Sequence, residues 1–272
     1  MSDRIPVPRH VLAVASGKGG VGKSTITMNM AVVLAQQGAR VGLVDCDVYG
    51  PDIPAMVGLT RRTPTRGWTL SRLGGAPPIE PVERFGVTIV STGLLFGEEQ
   101  PLSWPAMLIG VLVNQLLLSS VWPELDYLIL DLPPGTADVT QTVFRAAPRA
   151  QAVVVVTPQE VAHLDARKLV AFLRGNGTGI LGGFDNMAGF TCPCCQTVTE
   201  IFPPVDPARS IWSQDVPRLG TIPLDPGPPG QDPGVPVAVS RPDSAFTAAM
   251  RAAVGVIRQR LDGEPSSAAG TP

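Results

Sequence analysis

The densest chemical signal in the chain is Gly17-Lys18-Gly19-Gly20-Val21-Gly22-Lys23-Ser24, a Gly-x-x-x-x-Gly-Lys-Ser pattern. Glycines at these positions let consecutive backbone N–H groups turn inward and approach a polyphosphate closely. A helix opening at the loop adds a favourable dipole. Lys23 is placed to pair with β- and γ-phosphate oxygens, Ser24 to give a hydroxyl to Mg²⁺, and Thr25 to support the α-phosphate. The loop, from Gly17 through Lys18, Gly19, Gly20, Val21 and Gly22 to Thr25, therefore predicts ATP with Mg²⁺ as ligand. Lys18 cannot easily reach the same phosphates as Lys23, and the plain reading of it is a solvated loop lysine.

Two carboxylate groups accompany the loop. Asp45-Cys46-Asp47 ends one apolar run, and period-two geometry puts Asp45 and Asp47 on the same side. Asp131 ends Tyr127-Leu-Ile-Leu-Asp131 and precedes Leu-Pro-Pro-Gly135-Thr136. One carboxylate should organise Mg²⁺ and its waters, and another should orient an attacking water. Asp45 also reads as a carboxylate closing a strand-end turn.

The third constellation is Cys192-Pro193-Cys194-Cys195, in which Cys192 and Cys195 form a Cys-x-x-Cys. Two thiolates so spaced can chelate one metal or hold two corners of a cluster. Adjacent Cys194 and Cys195 point apart, and four-coordinate sites want four ligands, so a twofold dimer would supply a pair from each subunit. A dimer-bridging zinc and a redox disulfide stay open as alternatives. Cys46, inside a strand end, reads as an inert buried thiol.

The elements that must position these groups alternate between strand and helix. Val11–Ala15, Arg40–Asp45, Val87–Ser91, Tyr127–Leu132, Ala152–Thr157, Ile180–Asn186 and Arg218–Ile222 read as strands. Helical spacing covers Gly22–Gln37, Met107–Val121, Asp138–Ala147, Val161–Arg174 and Asp243–Leu261, the last capped by Asp243 or Ser244. The expected fold is α/β: a mostly parallel twisted sheet of about seven or eight strands with helices on both faces. Ligands in such folds sit at the carboxyl ends of strands, where each motif falls. A single domain is expected over 1–262, with a small-residue, polar tail at 263–272.

Composition narrows the function classes. The 272 residues are 44% hydrophobic and 16% charged, ample for a full core, with a net charge of −2. No long basic run argues for nucleic-acid binding, and no stretch reaches the roughly 18 apolar residues of a membrane span. The expectation is a cytoplasmic protein with neither nucleic acid nor membrane as partner. Four Cys in such a chain favour metal or redox chemistry over structural disulfides.

Several longer stretches carry a family resemblance. They are Ser16–Thr25, Asp45-Cys-Asp-Val-Tyr-Gly-Pro-Asp-Ile-Pro54, Leu125–Thr136, Thr157-Pro-Gln159, Asn186-Met-Ala-Gly-Phe-Thr-Cys-Pro-Cys-Cys195 and Leu219-Gly-Thr-Ile-Pro-Leu-Asp225. The chain resembles the Mrp/ApbC/Nbp-type iron–sulfur cluster carriers, P-loop NTPases of the deviant Walker A class. The Tyr-Gly-Pro-x-Ile-Pro stretch and the Cys-x-x-Cys after Asn-Met set that family apart from cell-division and partition ATPases. The resemblance implies a slow ATPase and a homodimer that holds a labile [4Fe–4S] cluster between two Cys192/Cys195 pairs and passes it to apo iron–sulfur client proteins. It implies that Lys18 reaches the partner subunit's nucleotide, that Asp47 orients the water, and that Asp131 holds the Mg²⁺ shell. Gly135 and Thr136 would sense the γ-phosphate, and Asn186 would contact adenine. The alternatives are a ParA/MinD-like positioning ATPase and a zinc- or redox-regulated nucleotide switch. The family's Arg-Gly after tryptophan is absent at Ser103-Trp104-Pro105-Ala106, and Pro203-Pro204 stands where its glycine run would follow Ile201-Phe202.

Overall fold

The computed structural model describes residues 8–59, 78–96, 106–135, 138–192, 194–195, 197–228 and 230–263. Its strands are β1 (His10–Ser16), β2 (Val41–Asp45), β3 (Val82–Arg84), β4 (Val87–Ser91), β5 (Tyr127–Asp131), β6 (Gln151–Val156), β7 (Ile180–Thr191), β8 (Val198–Thr199) and β9 (Arg218–Leu224). The helices are α1 (Lys23–Gln36), α2 (Ile53–Met56), α3 (Ala106–Leu118), α4 (Asp138–Ala146), α5 (Glu160–Gly175), α6 (Val237–Ser240) and α7 (Ala245–Gly263).

All nine strands join one sheet in the order β3-β4-β2-β5-β1-β6-β7-β8, with β9 also paired to β7. The central pairings are parallel, whereas the short strands β3 and β8 pair antiparallel to β4 and β7. Parallel strands need covering on both faces, and β2 and β5 are buried at every position. Crossover handedness explains the covering. The β1-α1-β2 connection moves one way along the sheet, while β4-α3-β5, β5-α4-β6 and β6-α5-β7 move the other way. Right-handed crossovers of opposite direction place their helices on opposite faces. Accordingly α1 packs with α6 and α7, and α3 packs with α4.

Helix α1 buries Ile26 through Leu34 without a break. Each fully buried Leu, Ile or Met contributes roughly 1.5–3 kcal/mol, which anchors the helix behind the loop it opens from. It stops at Gly38, whose φ of 86° is a left-handed turn and whose N–H donates to Ala35 O at 2.9 Å. Helix α7 turns Phe246, Met250, Ala253, Val254, Ile257 and Leu261 inward, and its cap is Ser244, whose hydroxyl accepts from Thr247 N–H at 3.2 Å.

Three expectations change. Among the described residues the sheet has nine strands, because β3 and β8 are too short to leave a periodic signal. The strand expected to end at Asn186 continues to Thr191, since β9 and β8 offer hydrogen-bond partners beyond the end of β6. Asp262 and Gly263, expected at the domain's end and in the tail, are the last residues of α7; Asp262 pairs with Arg9 at 3.0 Å. The rest of the expected tail, 264–272, lies outside the described residues, as does the stretch from Ser103 to Pro105. Among the described residues no helix is long and apolar enough to cross a membrane.

Candidate nucleotide site and cysteine hairpin

The phosphate loop connects β1 to α1, as the motif requires. Gly20 and Gly22 have φ of 78° and 80°, conformations that cost a side-chain-bearing residue about 1–3 kcal/mol. Gly17 is required for a second reason. A Cβ there would overlap the backbone of Asp165 and Ala166 in α5, so the loop packs directly against the next helix along the sheet. The hydroxyl of Ser16, itself buried, donates to Lys18 O at 3.0 Å and helps set the turn.

Lys23, Ser24 and Asp131 form one cluster. Lys23 Nζ lies 2.8 Å from Asp131 Oδ2 and donates to Ser24 Oγ at 3.1 Å; Ser24 Oγ donates to the same Asp131 oxygen at 2.7 Å. The other carboxylate oxygen accepts from Thr27 Oγ1 at 2.7 Å. Asp131 is fully buried and Lys23 only 7% exposed. A buried carboxylate is tolerated when it is paired and hydrogen-bonded, and here three side chains do both. The Ser24 hydroxyl and the Asp131 carboxylate converge as hard oxygen donors beside the loop, a donor set that fits Mg²⁺. Thr27 is a site residue that sequence reading missed, although it lies one helical turn beyond Lys23.

Register places Asp45 directly beside Asp131 on neighbouring strands. Asp45 is fully buried and accepts from Ser91 Oγ at 2.9 Å and Asp47 N at 3.1 Å. Burial, reinforced by the Asp131 charge, pushes its carboxyl well above the usual range. Its contacts make Asp45 the residue that shapes the turn into Asp47. The Asp47 carboxyl accepts from Gly50 N at 3.3 Å; burial raises its pKa and the Lys23 charge pulls against that rise. Gly135 N donates to Ser16 O at 2.8 Å, which holds the Leu132–Gly135 loop against the end of β1. Thr136, expected beside it, lies outside the described residues.

Two predicted residues have partners that the sequence did not foretell. Lys18 Nζ donates to Gln159 Oε1 at 3.2 Å, within its own subunit. Asn186, expected to meet adenine, is 4% exposed and donates from Nδ2 to Val21 O at 2.8 Å. It lies so close to Gly22 that a Cβ there would collide with its amide. Asn186 thus holds the phosphate loop from behind. The next residue, Met187, takes a left-handed φ of 59°, and the β7–β9 register shifts between Asn186 and Phe190. Just beyond the Asn186–Ile222 pair lies a cavity of about 560 Å³, lined among others by Phe190, Leu224, Asp225, Arg241 and Phe246. Arg241 is ion-paired with Asp225 at its wall.

The cysteines sit on a hairpin. β7 runs on to Thr191 and pairs antiparallel with β8, with Thr191 opposite Val198. Cys192 N–H donates to Thr197 O at 2.9 Å, and Cys195 Sγ contacts Thr197 Oγ1 at 3.2 Å. Cys194 and Cys195 are exposed, Cys192 is half-buried, and all are free thiols. Hydrogen bonding with the side chain and backbone of Thr197 holds the Cys195 thiol below its ordinary pKa. Cys46 is fully buried, and burial raises its thiol well above the ordinary range, in keeping with an inert core residue. Among the described residues no three His, Cys, Asp or Glu side chains of one chain converge on a metal position.

A NUBPL iron-transfer P-loop NTPase model, of the ParA group, matches residues 8–258. The chain belongs to this family. An iron–sulfur cluster carrier protein of Synechocystis is 39% identical over 96% of this chain and 72% of its own length. A nucleotide-binding protein of Archaeoglobus fulgidus, solved with ADP, is 35% identical, covers 80% of this chain and 83% of its own, and superimposes with a TM-score of 0.65. The septum site-determining protein MinD of Pyrococcus horikoshii, solved with Mg-ADP, is 22% identical, with a TM-score of 0.66 over 93% of this chain and 97% of its own. That last likeness is one of fold.

Proposed function

We propose that this protein is an ATP-dependent iron–sulfur cluster carrier: it assembles a [4Fe–4S] cluster at a homodimer interface and passes it to apo-proteins. The observation that carries the reading is β7, a single strand that touches the phosphate loop through Asn186 and ends in the Cys192/Cys195 hairpin. The family match and the cluster carrier names of its relatives support it.

In this reading the loop amides and Lys23 bind the triphosphate. Lys23 then exchanges its Asp131 partner for phosphate oxygens, which are the better-matched anion at that point. Ser24 and Asp131 would hold Mg²⁺, which would supply charge neutralisation to the bound phosphates. Asp47 orients the attacking water, and Lys18 leaves Gln159 to reach the partner subunit's nucleotide. Asn186 and the cavity beyond it receive the base. Turnover is slow, and the setting cytoplasmic. The cluster is cargo held by Cys192 and Cys195 of each chain, four thiolates in all.

Anaerobic reconstitution should give a brown dimer with about four irons and four sulfides per pair of chains. Replacing Cys192 and Cys195 together by Ala should abolish the iron and sulfide. A double variant that keeps them would sink the assignment, and zinc in the anaerobically purified protein would favour the nucleotide-switch reading.

A further inference from the structure

One residue, Thr197, contacts both members of the Cys192/Cys195 pair, and it carries no thiolate of its own. Thr197 receives the Cys192 N–H on its carbonyl at 2.9 Å, while its hydroxyl lies 3.2 Å from Cys195 Sγ. Its position is fixed by the sheet, because the next residue, Val198, is paired with Thr191 in β8. The main chain of Thr197 therefore sets where Cys192 begins the loop, and its hydroxyl is a direct partner of the Cys195 sulfur.

The hydroxyl suits two states of the sulfur. A thiol donates its S–H to Thr197 Oγ1. When a metal binds, each thiol gives up its proton to solvent, and a thiolate sulfur can only accept. A threonine hydroxyl both donates and accepts and rotates freely, so it can turn its O–H toward the sulfur without any movement of the chain. Hydrogen bonds to ligating sulfur from outside the ligand set orient the ligand and tune its basicity.

We propose that Thr197 is a positioning residue for the cluster site, holding the Cys195 sulfur in its ligating direction by hydroxyl-to-sulfur hydrogen bonding while its carbonyl anchors Cys192. The proposal rests on the carrier reading above. Removing the hydroxyl alone weakens thiolate ligation, whereas the hairpin itself persists through its backbone pairing.

The test uses the full chain, reduced and free of oxygen, titrated with Cd²⁺ against a competing chelator. The sulfur-to-cadmium charge-transfer absorbance reports thiolate ligation directly. Thr197→Val keeps the branched shape and the carbonyl but lacks the hydroxyl, and should weaken Cd²⁺ binding about tenfold or more, the loss typical of such supporting partners. Thr197→Ser restores the hydroxyl and should bind within about twofold of the original chain. Equal affinity of Thr197→Val and the original chain overturns the proposal and leaves the carrier reading standing. So does a Thr197→Ser variant as weak as Thr197→Val, since shape and not the hydroxyl would then matter. A charge-transfer band that persists unchanged in the Cys192→Ala/Cys195→Ala chain overturns both.

Discussion

At the scale of single residues, the site depends on how Asp131 is held. It is a fully buried carboxylate with Lys23, Ser24 and Thr27 as partners. Of these, Thr27 alone is not itself expected to leave for phosphate or Mg²⁺. Thr27→Val should therefore leave Asp131 Oδ1 without that donor, at a cost of about 1–3 kcal/mol. Chemical denaturation should show a lower midpoint with an unchanged slope; a midpoint equal to the original chain's would refute the bond. Lys23 and Ser24 were legible in the sequence because phosphate chemistry demands them at fixed spacing. Thr27 was not, because its role comes from a strand more than a hundred residues away.

At the scale of elements, α5 acts as a clamp. His163 on α5 is 2% exposed, accepts from Ile211 N at 3.2 Å through Nδ1, and meets the Trp212 ring edge-on. Nearby, Arg167 donates to Ala208 O, Arg174 donates to Gln214 O, and Arg209 pairs with Glu160. Together they fasten the 207–214 segment that leads into β9, the partner of β7. Burial first, and the Arg218 charge second, push the His163 pKa down from 6.5 to about 4. Above pH 6.5 the ring is neutral in both folded and unfolded chains and has no pH effect. Between pH 6.5 and about 4 the unfolded chain takes up a proton that the native ring refuses, so stability falls as pH falls. The full shift corresponds to about 3 kcal/mol. Thermal unfolding of His163→Asn between pH 7 and 4.5 should show a flatter decline than the original chain, and parallel declines would rule the ring out as the cause.

At the scale of the whole molecule, the nucleotide and cysteine sites share one strand. β7 carries Asn186 against Val21 and, beyond the left-handed Met187, the Cys192 hairpin. Any change that frees Asn186 from the phosphate loop acts on the strand that leads to the cysteines. Lys18, bonded to Gln159 within one chain, has its proposed work across a dimer. Lys18→Ala should keep nucleotide affinity and lose the part of ATP hydrolysis that rises with protein concentration. Turnover per chain as steep in concentration as before would remove Lys18 from that role.

Sequence alone determined the parts that chemistry or periodicity dictates locally. The phosphate loop, the strand-end carboxylates and the Cys-x-x-Cys are each contiguous, and the Val-rich runs mark strands covered on both faces. The order of the strands, the Asp45–Asp131 register and the anchoring of the loop by Asn186 were decided only in three dimensions. Each joins residues far apart in the chain, and such pairings depend on which strands become neighbours, a choice that no local spacing encodes. The same holds for β8: two residues form a strand there because β7 extends far enough to pair with them, which sets Val198 opposite Thr191 next to Cys192.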